Sequence, residues 1–191
     1  MKKTTLLFCL LVLVQSSALA DEYRAPSSAG GFTLNNQIKD YGVSNHENYL
    51  REDIFTDLEG FRKGFITYGT CNKPGEILRI KLKYQDRSYK FYKQLLKKYR
   101  KSFGDNPTFT GDSFGNVKSW KWAFTNDQGQ RVTLVLQHNL KDSDESVGNM
   151  LKLRLPDLMN AERTCFNKTH PQNSDSDAPE SETDWTKLIP Q

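Results

Sequence analysis

The sequence predicts an α+β domain: an antiparallel β-sheet of about five strands, in the order ββαβββα, with helices packed on one face. Three observations predict it. Runs of alternating apolar and polar residues flank tight turns. One long segment between them carries a stripe of helical period. Two cysteines far apart in the chain are placed to join the last helix to the first hairpin.

The chain opens on Lys2 and Lys3, then an apolar run from Leu6 to Val14, then Ala18-Leu19-Ala20, which fits the small-x-small rule for leader cleavage. The run is shorter than the roughly 20 residues that span a bilayer. Residues 1–20 therefore read as a bacterial-type signal peptide cut after Ala20, and the mature chain as periplasmic or secreted. Residues 21–31 (DEYRAPSSAGG) read as a flexible lead, residues 32–167 as a single domain, and residues 168–191 as a disordered acidic tail. No segment after the leader is apolar enough to cross a membrane as a helix.

Residues 32–60 give mixed spacings and support only a short strand and irregular or helical turns. From Gly64 the pattern sharpens. GFITYGT (64–70) is rich in β-branched and aromatic residues, Asn72-Lys73-Pro74-Gly75 is turn chemistry, and EILRIKLKY (76–84) alternates cleanly, which together predict a hairpin. In residues 86–104, Tyr89, Tyr92, Leu96, Tyr99 and Phe103 recur every three or four positions, the stripe of an amphipathic helix with Asp86 as N-cap and Gly104 as stop. Residues 105–116 read as a loop. Trp120, Trp122 and Phe124, then Val132, Leu134 and Leu136, alternate on either side of a Gly turn and predict a second hairpin. MLKLRL (150–155) is one more strand, and Pro156 starts a closing helix that carries Cys165.

Cleavage removes Cys9 and leaves Cys71 and Cys165, an even pair that in an exported chain predicts a disulfide. The loop so closed, about 95 residues, stabilises by about 4 kcal/mol in the chain-entropy treatment. No Cys-x-x-Cys is present, and the cysteines and the three histidines (His46, His138, His170) form no metal-ligand spacing. Asp142-x-Asp144-x-Ser146-x-Gly148 places its Gly one position late for a calcium loop and has Leu153 where the closing Glu belongs. Asn167-Lys168-Thr169 matches the glycan acceptor pattern by chance in a bacterial-type chain. His138 shares the parity of Leu134 and Leu136 and reads as packed. Neither a nucleophile motif nor a phosphate loop appears, so no catalytic residue, metal or cofactor is assigned. Acids such as Asp53, Asp57, Glu59 and Asp112 keep a carboxylate hydrolase as the alternative.

The chain holds 27 Lys and Arg against 23 Asp and Glu, and the tail takes five of the acids (Asp175, Asp177, Glu180, Glu182 and Asp184), which leaves the domain basic. On the strands, Arg79, Lys81, Lys83, Lys121, Arg131, Lys152 and Arg154 occupy the parity opposite the apolar residues. If the strands share a sheet, these seven share a face able to attract an anion. The partner expected is a protein or an anionic envelope component. Nucleic acid is disfavoured, because Tyr89, Tyr92 and Tyr99 belong to the core stripe rather than to a base-stacking platform. The function expected is that of an exported, non-enzymatic binding domain, with an accessory subunit of an envelope complex as a further alternative. The acidic tail, with Trp185, Leu188 and Ile189 at its end, is suited to folding back over that face. Nothing in the sequence sets an oligomeric state.

Overall fold

The computed structural model describes residues 23–39, 48–140 and 147–170. The segment read as a leader, positions 142–146 of the calcium-like run and residues 171–191 of the acidic tail lie outside the described residues, whereas Lys168 and Thr169, read as the start of the tail, belong to α2. The element order is β1 (Ser28–Ala29), β2 (Phe32–Thr33), β3 (Leu50–Phe55), β4 (Phe61–Gly69), β5 (Ile77–Tyr84), α1 (Tyr89–Phe103), β6 (Thr108–Phe109), β7 (Val117–Thr125), β8 (Arg131–Asn139), β9 (Gly148–Arg154) and α2 (Pro156–Thr169). Seven strands form one antiparallel sheet in the order β3-β4-β5-β9-β8-β7-β6, and β1 pairs with β2 alone.

The class is the α+β, antiparallel one expected. The strand count and order differ, because the sequence reading of about five strands in ββαβββα order lacked β1, β3 and β6 and did not count the short strand allowed within residues 32–60, where β2 lies. β1, β2 and β6 are only two residues long, below the length at which alternation is legible. β3 (LREDIF) is a sheet edge, and apart from Phe55 its apolar residues do not alternate with the polar ones.

The long elements stand where their patterns put them. In α1 only Tyr92 is fully buried, Leu95, Leu96, Tyr99 and Phe103 lie half-buried against the sheet, and Tyr89, expected in the core stripe, is exposed at the start of the helix with Lys118 over its ring. The N-cap is Ser88 rather than Asp86: the Ser88 hydroxyl accepts from the Phe91 N–H at 3.2 Å. The Asp86 carboxylate instead accepts from the Ser88 N–H at 2.7 Å, and this bond holds its pKa below the ordinary value. Gly104 ends the helix at φ 98°, a left-handed conformation that favours glycine, and its carbonyl accepts from the Trp122 indole N–H at 2.9 Å.

The core lies beneath α1. Leu78, Ile80, Leu82, Leu136, Leu151 and Leu153 come from the centre of the sheet, with Ile66 and Val132 beside them. Within the stretch read as a lead, Ala25 and Ala29 pack on this core, followed by Leu34 and Ile38. The segment is bonded to β5 by Asn35 N–H to the Ile77 carbonyl at 3.0 Å and by Ile77 N–H to the Asn36 carbonyl at 2.8 Å.

The two helices do not share one face, contrary to the sequence expectation. α1 covers the apolar side, with Tyr99 against Trp122 and Phe103 against Phe124. α2 crosses one end of the opposite side: Asp157 pairs with Arg131, and Met159 lines a cavity of about 300 Å³ with Glu52, Thr67 and Arg79. β9 ends at Arg154 and Pro156 starts α2 two residues later, so the helix must cross the strand ends next to it.

α2 is pinned at its far end by two devices. Cys71 and Cys165 form the expected disulfide, with Cα atoms 5.9 Å apart. Fully buried Glu162 accepts four backbone N–H groups of the β4–β5 connection, from Thr70, Cys71 and Asn72 on one oxygen and from Lys73 on the other, at 2.5–3.1 Å. A Cβ at Gly69 would stand 2.6 Å from that carboxyl group, so glycine is needed there.

Candidate functional site

All seven cations named from the sequence lie on β5, β7, β8 and β9, which are strands of one sheet, and their parity places them on the side away from α1. Three transverse rows describe the face. The first runs Glu52, Thr67, Arg79, Arg154, Thr133, Ala123. The second runs Ile54, Phe65, Lys81, Lys152, Val135, Lys121, and the third Lys63, Lys83, Met150, Gln137, Ser119. The centre is thus a block of four: Arg79 directly opposite Arg154, and Lys81 directly opposite Lys152. Facing residues on neighbouring strands stand about 5 Å apart at Cβ, and like charges so placed destabilise a sheet.

The block is partly compensated. Glu52 accepts from Arg79 at 2.9 Å and lies 3.8 Å from the Lys81 ammonium. Arg79 also donates to the Thr67 hydroxyl, and Arg154 to the Thr133 hydroxyl, each at 3.0 Å. Among the described residues Lys152 reaches only the Gln137 amide oxygen, at 3.5 Å. Burial, then the charges of Lys81, Arg79 and Arg154, hold the Lys152 pKa below its ordinary value. Burial and the neighbouring cations make the ammonium form of Lys152 less favourable, and an anion seated against it would offset that cost.

The remaining three are set apart. Lys83 is 7% exposed and lies with Lys63 and Lys81 around the Phe65 ring, at 5.1, 5.4 and 4.0 Å from its centre. Lys121 is separated from Lys152 by Val135. Arg131 sits at the far end and is occupied by Asp157 at 2.7 Å. Sequence reasoning missed Glu52, Lys63 and Phe65. β3 was not legible as a strand, and β4 is half-buried or buried along its whole length, which erases the alternation that would assign its faces.

His138 is a core residue. Its ring stacks on Tyr92 at 5.2 Å, and Nδ1 lies 2.7 Å from the Asn149 amide oxygen. The Asn149 amide N–H₂ donates to the Asp86 and Ser88 carbonyls, so its oxygen must face the imidazole and Nδ1 is the protonated nitrogen. Burial and the neighbouring Tyr89 push the Tyr92 phenol up to about 12, and burial raises Tyr99 well above its usual value. Of the acids named from sequence, Asp53 accepts from the Tyr68 hydroxyl at 3.2 Å on the opposite side from Glu52. Among the described residues no group of three or more His, Cys, Asp or Glu side chains is arranged to hold a metal, and no helix is long and apolar enough to cross a membrane.

A second cationic surface lies on α1. Lys90, Lys93, Lys97, Lys98, Arg100 and Lys101 follow one another along a helix without a single acid. Arg100 and Lys101 complement the negative end of the helix dipole, whereas Lys90 and Lys93 stand near its positive end. The outer face borders a cavity of about 630 Å³ walled by Lys93, Lys97, Arg100, Lys101, Tyr23 and Asp105.

The fold and its surfaces define a class: a disulfide-pinned α+β domain with a seven-stranded antiparallel sheet and cationic surfaces on both sides. No protein-family model, no curated protein and no solved structure matches the chain.

Proposed function

We propose that this is an exported, non-enzymatic binding domain that holds an anionic partner, an acidic protein surface or an envelope polyanion, on the sheet face around Arg79, Lys81, Lys152 and Arg154. The observation that carries this reading is the pair of like-charge cross-strand contacts in the sheet centre, for which the described residues supply one acid, Glu52. A purely structural sheet is better served by Thr, Val or alternating charge at those four positions, because like charges directly opposite weaken strand pairing. The depressed pKa of Lys152 supports the same reading, since a bound anion offsets the burial and the repulsion that lower it. The disulfide and the leader-like start fit a compartment outside the cytoplasm.

Titration of the protein with long-chain polyphosphate at low salt tests the reading. Binding should weaken steeply with added salt, and the double variant Lys81→Gln, Lys152→Gln should lose at least tenfold in affinity while its circular dichroism stays unchanged. Equal affinity in the variant would remove the sheet face from the function.

A further inference from the structure

We infer that the domain is two-sided: the outer face of α1 is a second, independent anion site, and the protein bridges two anionic segments. The inference rests on the sheet-face reading above and adds the second site. α1 separates the two surfaces, because Tyr92, Tyr99 and Phe103 hold it against the apolar side while the block of four cations looks the other way. One bound chain segment therefore cannot satisfy both without passing around the sheet edge.

The second site has built walls. Arg100 is held in place by the Trp120 ring, 5.0 Å from its guanidinium carbon, and by Asp105 at 3.7 Å. The Arg100 Nε is buried and has no hydrogen-bond partner among the described residues. Tyr23 forms the opposite wall, its ring lying against Gly104, where an added Cβ would stand 3.2 Å from it. Lys93, Lys97 and Lys101 line the opening at successive turns, about 6 Å apart along the helix axis. A row of single positive charges at that interval, over a cavity with one acid, fits a chain bearing repeated phosphate or sulfate groups.

Two probes test it on the full chain. Calorimetric titration with tripolyphosphate should give two sites per protein. Long-chain polyphosphate should scatter light at intermediate ratios and clear when protein is in excess, the signature of a bridging ligand. The triple variant Lys93→Gln, Lys97→Gln, Lys101→Gln should retain one site, lose the scattering maximum and keep its circular dichroism, since these side chains line open surface. Lys81→Gln, Lys152→Gln should also leave one site. A single site in the native protein, untouched by the helix variant, overturns the inference and leaves the sheet-face reading intact. A single site removed by the helix variant alone overturns both bridging and the sheet-face reading.

Discussion

The two cationic regions differ in how the chain holds them. On the sheet, charges are locked: Arg79 by Glu52 and Thr67, Arg154 by Thr133, Arg131 by Asp157, and Lys81 over an aromatic ring. On α1 the described residues hold no lysine in an ion pair: Lys93 lies 5.3 Å from the centre of the Tyr89 ring, and Lys93, Lys97 and Lys101 line an open cavity with Tyr23 and Asp105. A sheet fixes side chains on a lattice and lets neighbouring strands supply partners. A helix exposes a stripe whose nearest side chains are its own, and none of these fifteen residues is acidic, while Asp105 beyond the helix end pairs with Arg100. Preorganised charge is suited to selecting a ligand, and loose charge to attracting one.

The largest effect expected is on α2, which covers one end of the sheet face and has no counterpart over α1. Glu162→Ala leaves four backbone donors of the β4–β5 connection without their acceptor and should cost about 3 kcal/mol in urea unfolding. In the same variant, sheet-face binding should change while the α1 site does not; equal changes at both would break the distinction. Glu52→Gln removes the acid shared by Arg79 and Lys81. These are partly exposed pairs, so stability should fall by about 1 kcal/mol or less, while sheet-face affinity for polyphosphate rises.

A pH series sharpens the contrast further. The Lys152 pKa is lower in the folded state than in the unfolded one, so its charge opposes folding at neutral pH. That penalty is present below the folded pKa and is relieved as pH rises through it toward the usual lysine value. Denaturation midpoints should therefore improve on the alkaline side more for the native protein than for Lys152→Met. The smallest effect is on the helix: Lys97→Gln relieves i,i+4 repulsion with Lys93 and Lys101 and should stabilise by about 0.5 kcal/mol at low salt, vanishing near 1 M. Deleting residues 171–191, with their five acids, should strengthen retention on a negatively charged column, and unchanged retention would separate the tail from both faces.

The parts of the fold legible in sequence are those where one period dominates. Tyr89 to Phe103 reads as a helix, and the 117–139 hairpin as two strands, because the large apolar residues of each element recur at a single period. The disulfide was legible from counting, since Cys9 falls in the segment expected to be a leader and Cys71 and Cys165 are the remaining pair. β4 was placed only approximately because both its sides are covered, and β3 was missed because Arg51, Glu52 and Asp53 interrupt its alternation. Missing β3 hid Glu52, and with it the acid that tempers the cationic face. The side taken by α2 was not legible either: it follows from the strand ends that Pro156 meets, a tertiary fact with no local signature.

Leu34 and Ile38 belong to the beginning of the chain but fill a seat built by residues about forty positions later, where Asn35, Asn36 and Ile38 bond to Gly75 and Ile77. A polypeptide that emerges N-terminus first shows these two side chains to its surroundings before their seat exists. Until β5 has been made and turned back on β4, these two apolar side chains lack the seat that shelters them, and apolar side chains in that position are what holdase chaperones bind.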